Sequence, residues 1–273
     1  MPELPEVETI VRTLEKSLLN ETVNHVELMY EPLLETDSMY PMEILEGKKF
    51  VGFHRRGKYL CFEFSDGYYW IIHLRMEGKF HLYGTHHRLT KHTHLLMQTE
   101  HHEIHYLDTR KFSRMAVTKD PDSYFMRKKL GFEPWDTHLT SSYLYEAIHK
   151  STRAIKLILL DQSIITGIGN IYADEILFDT QIHPLTKGNK ITKKQCELII
   201  NSTRNTLENA IAAGGTTIRS YTSALNVTGR FQITLKAYGQ EGEPCSRCET
   251  PMVRIVVGGR STVFCPKCQK VKR

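Results

Sequence analysis

Four cysteines near the C-terminus are spaced for a metal ion. Two residues separate Cys245 from Cys248 and two separate Cys265 from Cys268, with sixteen between the pairs. Four thiolates in that pattern close a tetrahedral zinc site and leave no open ligand position, so the expected Zn2+ is structural. Between the pairs, VRIVV, Gly258-Gly259 and STVF read as a β-hairpin with a two-glycine turn, and Arg260 follows that turn. A charged residue at a hairpin tip is ordinarily solvated; beside a basic domain it becomes a candidate phosphate contact. The competing reading of the cysteines is a disulfide framework, which belongs to oxidising compartments, and no basic-then-apolar leader is recognisable here.

The first ten residues, MPELPEVETI, raise a second chemical question. Pro5 suits the start of a helix, Glu6 and Glu8 complement its positive end, and Val7, Ile10, Val11 and Leu14 continue at helical spacing. That account leaves Pro2 and Glu3, ahead of the helix, unexplained. Further along, TGIGNIYADEI joins a glycine-containing turn to a helix start. Asn170 is the expected N-cap there, and the free N–H groups of such a turn can bind phosphate. LRMEGKF and DTRKFSR each interleave basic and apolar residues at strand ends. Met76 and Phe112 could both be core residues, but exposed apolar wedges beside arginines are what a protein pushes into a base stack.

These residues need a scaffold. From Thr22 to about residue 118 the chain reads as seven or so short strands: TVNHVELMY, KKFVGFH, KYLCFEF, YYWIIHL, KFHLYG, HLLMQT and EIHYL. Closely spaced strands of this kind suggest a sandwich or barrel. Gly131 to Thr140 is rich in Pro, Gly and polar residues and reads as a linker. SSYLYEAIHK, AIKLILLDQ, NIYADEILFDT and KKQCELIINSTRNTLENAIAAG then show a helical period, ended by Gly214-Gly215. Cys61 and Cys196 fall in a strand and a helix pattern and are expected to be buried thiols.

A chain of 273 residues, 40% hydrophobic and 25% charged, can build two cores. No run of about 18 apolar residues is present, so no membrane partner is expected and a cytoplasmic location is the default. The net charge of +5 is unevenly placed. The segment before Leu139 carries 18 basic and 21 acidic side chains and the remainder 18 and 10, so the positive excess lies wholly in the second part. A basic second half points to a polyanion partner. Twelve of the fourteen histidines precede Leu139; without ligand spacing, solvated or phosphate-contacting roles are expected for them rather than a metal cluster.

Taken in chain order, MPELPEVE, RRGKYL, HLRMEGKF, DTRKF, GIGNIYADE, GGTTIRSY and the four-cysteine hairpin resemble formamidopyrimidine-DNA glycosylase from end to end. The resemblance implies an α+β architecture. An N-terminal catalytic β-sandwich domain would span 1–130, a linker 131–140, a helix-two-turn-helix DNA-binding domain 141–238 and a zinc β-hairpin 239–273. It implies a monomer that binds damaged double-stranded DNA in a cleft between domains, associates with the nucleoid and needs no catalytic cofactor. The flipped-out nucleotide would be an oxidised purine, 8-oxoguanine or a formamidopyrimidine. Removal of Met1 would leave Pro2 as a nucleophilic secondary amine, followed by Schiff-base chemistry and β,δ-elimination. Glu3 would be the general acid/base, with Lys58 and Arg260 assisting proton transfer. His73, His92, Arg110, Arg153 and Asn170 would contact DNA, and Met76, Arg110 and Phe112 would fill the void left by flipping. Glu77, Thr216, Ile218, Arg219, Ser220 and Tyr221 would edge and close the lesion pocket. A sister family prefers oxidised pyrimidines and usually opens with PEGPE; PELPE and the void-filling trio argue against it. A non-catalytic zinc DNA-binding protein would need no Pro2-Glu3-Lys58 set.

Overall fold

The computed structural model describes residues 1–84, 86–216 and 234–271. They belong to two units, Met1–Lys128 with Gly214–Gly229, and Lys129–Ala213 with Arg230–Arg273. Ile218, Arg219, Ser220 and Tyr221 lie outside the described residues.

In the first unit, helix α1 (Leu4–Leu18) buries Val7, Ile10, Val11, Leu14 and Leu18, the stripe its sequence spacing dictates. Glu3 is its N-cap, and the Glu3 N–H is taken by Glu6 Oε2 at 2.9 Å, the N-cap-to-N3 half of a capping box. Eight strands follow: β1 (Val23–Leu28), β2 (Phe50–Arg56), β3 (Tyr59–Phe64), β4 (Tyr68–His73), β5 (Lys79–Tyr83), β6 (Thr93–Thr99), β7 (Glu103–Leu107) and β8 (Arg114–Thr118). They pair antiparallel into two four-stranded sheets, β1-β6-β7-β5 and β2-β3-β4-β8. One core joins both sheets to α1. Its spine is a run of edge-to-face aromatics, Phe62–Trp70, Trp70–Phe80 and Phe80–Tyr106, with centroids 5.7, 5.8 and 5.0 Å apart.

A strand and a helix of this unit are not among the runs named from the sequence. Strand β8 was hidden behind the basic motif that precedes it. Helix α2 (Pro121–Arg127) starts at Asp120, whose side chain accepts the Ser123 N–H at 3.0 Å. Its Tyr124 covers Cys61, Ile71 and Ala116 on the far side of the second sheet.

The second unit holds α3 (Ser141–Ile148), α4 (Ile155–Leu159), α5 (Asn170–Asp179), α6 (Lys193–Ala212) and the hairpin β9 (Val253–Val257) and β10 (Arg260–Phe264). Helix α6 has a reciprocal cap: Gln195 N donates to Thr192 Oγ1 at 3.2 Å and Thr192 N to Gln195 Oε1 at 3.1 Å. Helix α5 is buried from Ile171 to Phe178, two carboxylates included. A carboxylate taken from water must find donors. Asp174 takes Lys156 Nζ at 2.6 Å and the Val263 N–H at 3.2 Å. Glu175 takes the N–H groups of Lys236, Ala237 and Tyr238 at 2.9, 2.9 and 2.8 Å. Burial pushes the Asp174 carboxyl up to about 6, against the pull of Lys156 and the Val263 N–H.

Removing one partner of the Lys156–Asp174 pair leaves a lone buried charge. Asp174→Ala is therefore expected to destabilise the chain by ~3–5 kcal/mol. Replacing both by apolar residues of similar volume is expected to recover most of that loss in urea unfolding.

Candidate active site and nucleic-acid interface

The N-terminus is buried, and that decides what surrounds it. Pro2 and Glu3 are buried, Glu3 to 2% exposure. The α-amino group, carried here by Met1, is held below its ordinary pKa chiefly by burial. Glu3, Glu6 and Glu77 oppose that shift and Lys58 reinforces it. The structure thus brings the amine, Glu3, Lys58 and Glu77 into one electrostatic neighbourhood, joined by Glu6.

Lys58 reaches this neighbourhood from the Gly57-Lys58 turn between β2 and β3, where Gly57 adopts φ +59°. Arg55 ties that turn to α1, donating from Nε to Glu8 Oε2 at 2.8 Å and from NH1 to the Gly57 carbonyl at 3.3 Å. Burial opposes the Glu8 carboxylate, but Arg55 and Arg12 hold it below the usual carboxylate range. The sequence reading credited Glu6 only with complementing the helix. Its other oxygen accepts the Thr216 N–H at 2.8 Å and the Thr216 hydroxyl at 3.0 Å. Gly215, at φ +76°, permits the approach, since a Cβ there would lie 2.9 Å from Glu6 Oε1. The three-residue spacing of Glu3 and Glu6 was the available signal for this carboxylate.

Met76, Arg110 and Phe112, expected from the sequence to fill the void, sit on two neighbouring turns. Phe112 is 49% exposed, so it is no core residue; Arg110 is exposed and Met76 half-buried. The Arg110 guanidinium lies 4.7 Å from the Phe112 ring centroid, a cation–π pair. His73 ends β4 with Nδ1 accepting the Arg75 N–H at 3.0 Å. Burial first, then Arg75 and Lys58, bring its pKa down to about 3, so the neutral ring carries its proton on Nε2 as a donor. His92 is half-buried, and its carbonyl accepts the Asp108 N–H at 3.1 Å.

Several other histidines depart from the expectation of solvated or phosphate-contacting roles. His94 and His105 are buried in strands. His105 and His86 both bond Glu103, and His102 bonds Glu21 at 2.7 Å. Burial works against the Glu103 carboxylate, yet the His87 N–H, His105, His86 and Gln98 hold it down at about 2.

In the second unit the expected cap at Asn170 is corrected. Gly169, with extended backbone, occupies the N-cap position and Asn170 is the first helical residue. Its side chain instead donates from Nδ2 to the Ser261 carbonyl at 2.9 Å, one residue beyond Arg260. Lys156 Nζ donates to the same carbonyl at 3.0 Å. The turn before α5 is strung on Gln162, another residue the sequence reading missed: it accepts the Gly167 N–H at 2.9 Å and donates to the Leu160 and Ile168 carbonyls. Arg260 is exposed, opposite Val257, after glycines at φ +55° and +75°. A Cβ on Gly258 would meet Leu157 Cδ2 at 2.5 Å, so that leucine side chain would have to shift. Arg153 is half-exposed and already paired with Asp161 at 2.8 Å.

The four cysteines fit zinc. Their sulfurs lie within 4.8 Å of one another, with Cys248 Sγ 3.5 Å from Cys265 Sγ and 3.4 Å from Cys268 Sγ. Four sulfurs at the zinc–thiolate distance sit ~3.8 Å apart at the corners of a tetrahedron. The Arg247 and Cys268 N–H groups point at Cys245 and Cys265 sulfurs, as they do around bound thiolates. No other cluster of metal-ligating side chains occurs among the described residues.

Three family models match in chain order: the formamidopyrimidine-DNA glycosylase N-terminal domain over residues 1–115, its H2TH domain over 130–222, and a zinc finger found in FPG and IleRS over 242–271. The class is a DNA glycosylase built from a β-sandwich, a helix-two-turn-helix element and a zinc hairpin. A formamidopyrimidine-DNA glycosylase of Ligilactobacillus salivarius is 43% identical over 275 residues, covering all of both chains. Lactococcus lactis Fpg in complex with abasic-site DNA superposes with a TM-score of 0.92 at 40% identity, over 98% of this chain and 100% of that one. The same protein with N7-benzyl-Fapy-dG DNA gives 0.91 at 39%, with the same coverage. The chain belongs to the formamidopyrimidine-DNA glycosylase family, base-excision-repair enzymes that also cleave abasic sites. Among the described residues no helix is long and apolar enough to cross a membrane.

Stripping one zinc per chain with a chelator is expected to abolish amide protection in β9 and β10 while leaving the first unit's sheets protected. Hydrogen exchange with metal analysis checks this.

Proposed function

We propose that the chain excises oxidised purines from duplex DNA with the Pro2 nitrogen as nucleophile, and that the residues gathered at its N-terminus divide the proton transfers. The observation that carries this reading is the buried α-amine whose electrostatic neighbours are Glu3, Glu6, Lys58 and Glu77. Loss of Met1 puts the Pro2 nitrogen at the terminus, in an environment that favours the neutral, nucleophilic form. The amine lone pair attacks C1′, the bond from C1′ to the base breaks, and the base leaves with a proton. The amine sheds its own proton, the C1′–O4′ bond of the resulting aminal breaks as O4′ takes a proton, and, because the amine is secondary, the product is a cationic iminium. That cation withdraws electrons as a C2′ proton is taken and the 3′-phosphate departs; a second elimination expels the 5′-phosphate. Glu3 moves protons at the sugar, and Lys58 and Arg260 serve the eliminations.

Around this chemistry, Met76 and Phe112 fill the vacated stack and Arg110 reads the orphaned base, favouring cytosine. His73 donates from Nε2 to the backbone, with His92 and Arg153 as further backbone contacts. Asn170 uses its remaining amide hydrogen on a phosphate beside Arg260. Glu77 and Thr216 edge the lesion pocket, and the assignments to Ile218, Arg219, Ser220 and Tyr221 rest on the family resemblance. The 1–130, 131–140, 141–238 and 239–273 divisions, a monomeric state and a cytoplasmic, nucleoid-bound location complete the reading. The N7-benzyl-Fapy-dG complex of the Lactococcus lactis relative supports a formamidopyrimidine substrate.

Borohydride trapping on a duplex with one 8-oxoguanine opposite cytosine tests the nucleophile, once mass spectrometry confirms loss of Met1. A covalent adduct mapping to Pro2 is expected. Glu3→Gln is expected to cut excision by ~10²–10⁴-fold, the range of general acid–base contributions. A processed chain that binds the duplex but never traps would sink the enzyme reading.

The pH dependence has a definite sign. Trapping is expected to rise with pH through an apparent pKa below the ordinary α-amino value of ~7.7–8.0. Glu77 raises the amine's pKa and Lys58 lowers it, so Glu77→Gln should move that limb to lower pH and Lys58→Met to higher pH. A limb that stays in place in both variants would contradict the electrostatic assignment.

A further inference from the structure

Asp108 takes no part in the chemistry above, yet its carboxylate holds the turn that carries Arg110 and Phe112. It is fully buried, at 0% exposure. Oδ1 accepts the Arg110 N–H at 2.9 Å. Oδ2 accepts the N–H groups of Phe112 and Ser113 at 2.9 and 2.8 Å and lies 2.7 Å from the Ser113 hydroxyl. Three of these groups are N–H donors, and an amide in place of the carboxylate would set N–H against N–H. Folding the loop around this carboxylate puts Lys111 at φ +57° and leaves the Arg110 and Phe112 side chains outside, stacked on one another.

The same group reaches the Met76 turn. The Ser113 hydroxyl sits between Asp108 and the Leu74 carbonyl, 3.0 Å from the latter, and the Gly78 N–H closes the turn onto that carbonyl at 3.0 Å. The two turns meet without clearance: a Cβ on Gly78 would lie 2.1 Å from Tyr106 Oη, 2.5 Å from Ser113 Oγ and 2.8 Å from the Leu74 carbonyl. The Thr109 hydroxyl donates to Glu77 across the same seam. The backbone of Asp108 completes the set, its N–H on the His92 carbonyl and its carbonyl taking His94 Nε2 at 2.8 Å.

We infer that Asp108, acting through Ser113, is a positioning residue that makes the Met76 turn and the Arg110–Phe112 turn one rigid wedge, and so sets how strongly Arg110 discriminates the base opposite the lesion. This rests on the assignment of Arg110 to the orphaned base made above. A preformed wedge spares the cost of ordering each side chain on binding. A loosened one can still enter the duplex but meets cytosine and adenine with similar geometry.

The test compares single-turnover excision of 8-oxoguanine opposite cytosine and opposite adenine, using the zinc-loaded, Met1-processed chain and its Asp108→Asn, Ser113→Ala and Arg110→Ala variants. The ratio of the two rates on one preparation is independent of how much of it is folded, so general destabilisation leaves it unmoved. Asp108→Asn and Ser113→Ala are each expected to lower the cytosine-over-adenine ratio, by about tenfold for Asp108→Asn, which corresponds to about 1.4 kcal/mol. Both should move toward the ratio of Arg110→Ala. If Arg110→Ala collapses the ratio while Asp108→Asn and Ser113→Ala keep the parental value, the positioning role is overturned and the Arg110 reading stands. If Arg110→Ala itself keeps the parental ratio, the Arg110 reading fails and the inference with it. Should Asp108→Asn not fold, Ser113→Ala decides alone, since it removes one hydroxyl and leaves the Asp108 bonds to backbone in place.

Discussion

The Glu6 carboxylate, 5% exposed, accepts the Glu3 N–H with one oxygen and the N–H and hydroxyl of Thr216 with the other. The rest of the first unit depends on that arrangement, because it fixes the chain's first residues against a helix instead of leaving them to fray as termini ordinarily do. A fixed terminus can be buried, and a buried amine is one whose cationic form is penalised. Three carboxylates nearby act the other way, and the direction of the shift at the Met1 amine says that burial wins. Lys58, held in by Gly57 and by the Arg55–Glu8 pair, adds to the burial effect.

The second unit uses the same device for a different purpose. Asp174 and Glu175 are consecutive residues on a helix buried all round, so they face different neighbours; one takes Lys156 and strand β10, the other three successive N–H groups at 236–238. Strand β10 is thereby fixed at Val263, and near its start Ser261 O receives both Lys156 and Asn170. The cysteine cluster fixes its far end, and Gln269 joins that end to the Ile182 carbonyl at 2.9 Å. Arg260 and Asn170, read from motifs ninety positions apart, thus become neighbours through one backbone carbonyl.

What could be read in the sequence was local. The zinc hairpin, the α1 stripe, the strand runs and the helix stop at Gly214-Gly215 each depend on periods or turn residues within a few positions. The Asn170 cap failed for a physical reason. Gly169 occupies the extended cap position, which leaves the asparagine for a tertiary bond that no local window shows. Glu6, Asp108 and Gln162 escaped for the same reason: each looks like an ordinary surface polar residue until the backbone it serves has folded around it. Helix α2 is only seven residues long, too short to announce itself by period.

Charge shows how far a count can mislead. The segment before Leu139 has three more acidic than basic side chains, which argues against a polyanion partner for it. Five of those acids are buried, Glu3, Glu6, Glu21, Glu103 and Asp108, against one base, Lys58. Sixteen acidic and seventeen basic side chains therefore remain outside the buried set. The acids spent internally hold N–H groups and histidines, whereas Arg75, Arg88, Lys91, Arg110 and Lys111 are exposed on the loops. A phosphate backbone approaching this unit meets the loops, so the internal use of carboxylates both shapes the turns and lets them present positive charge.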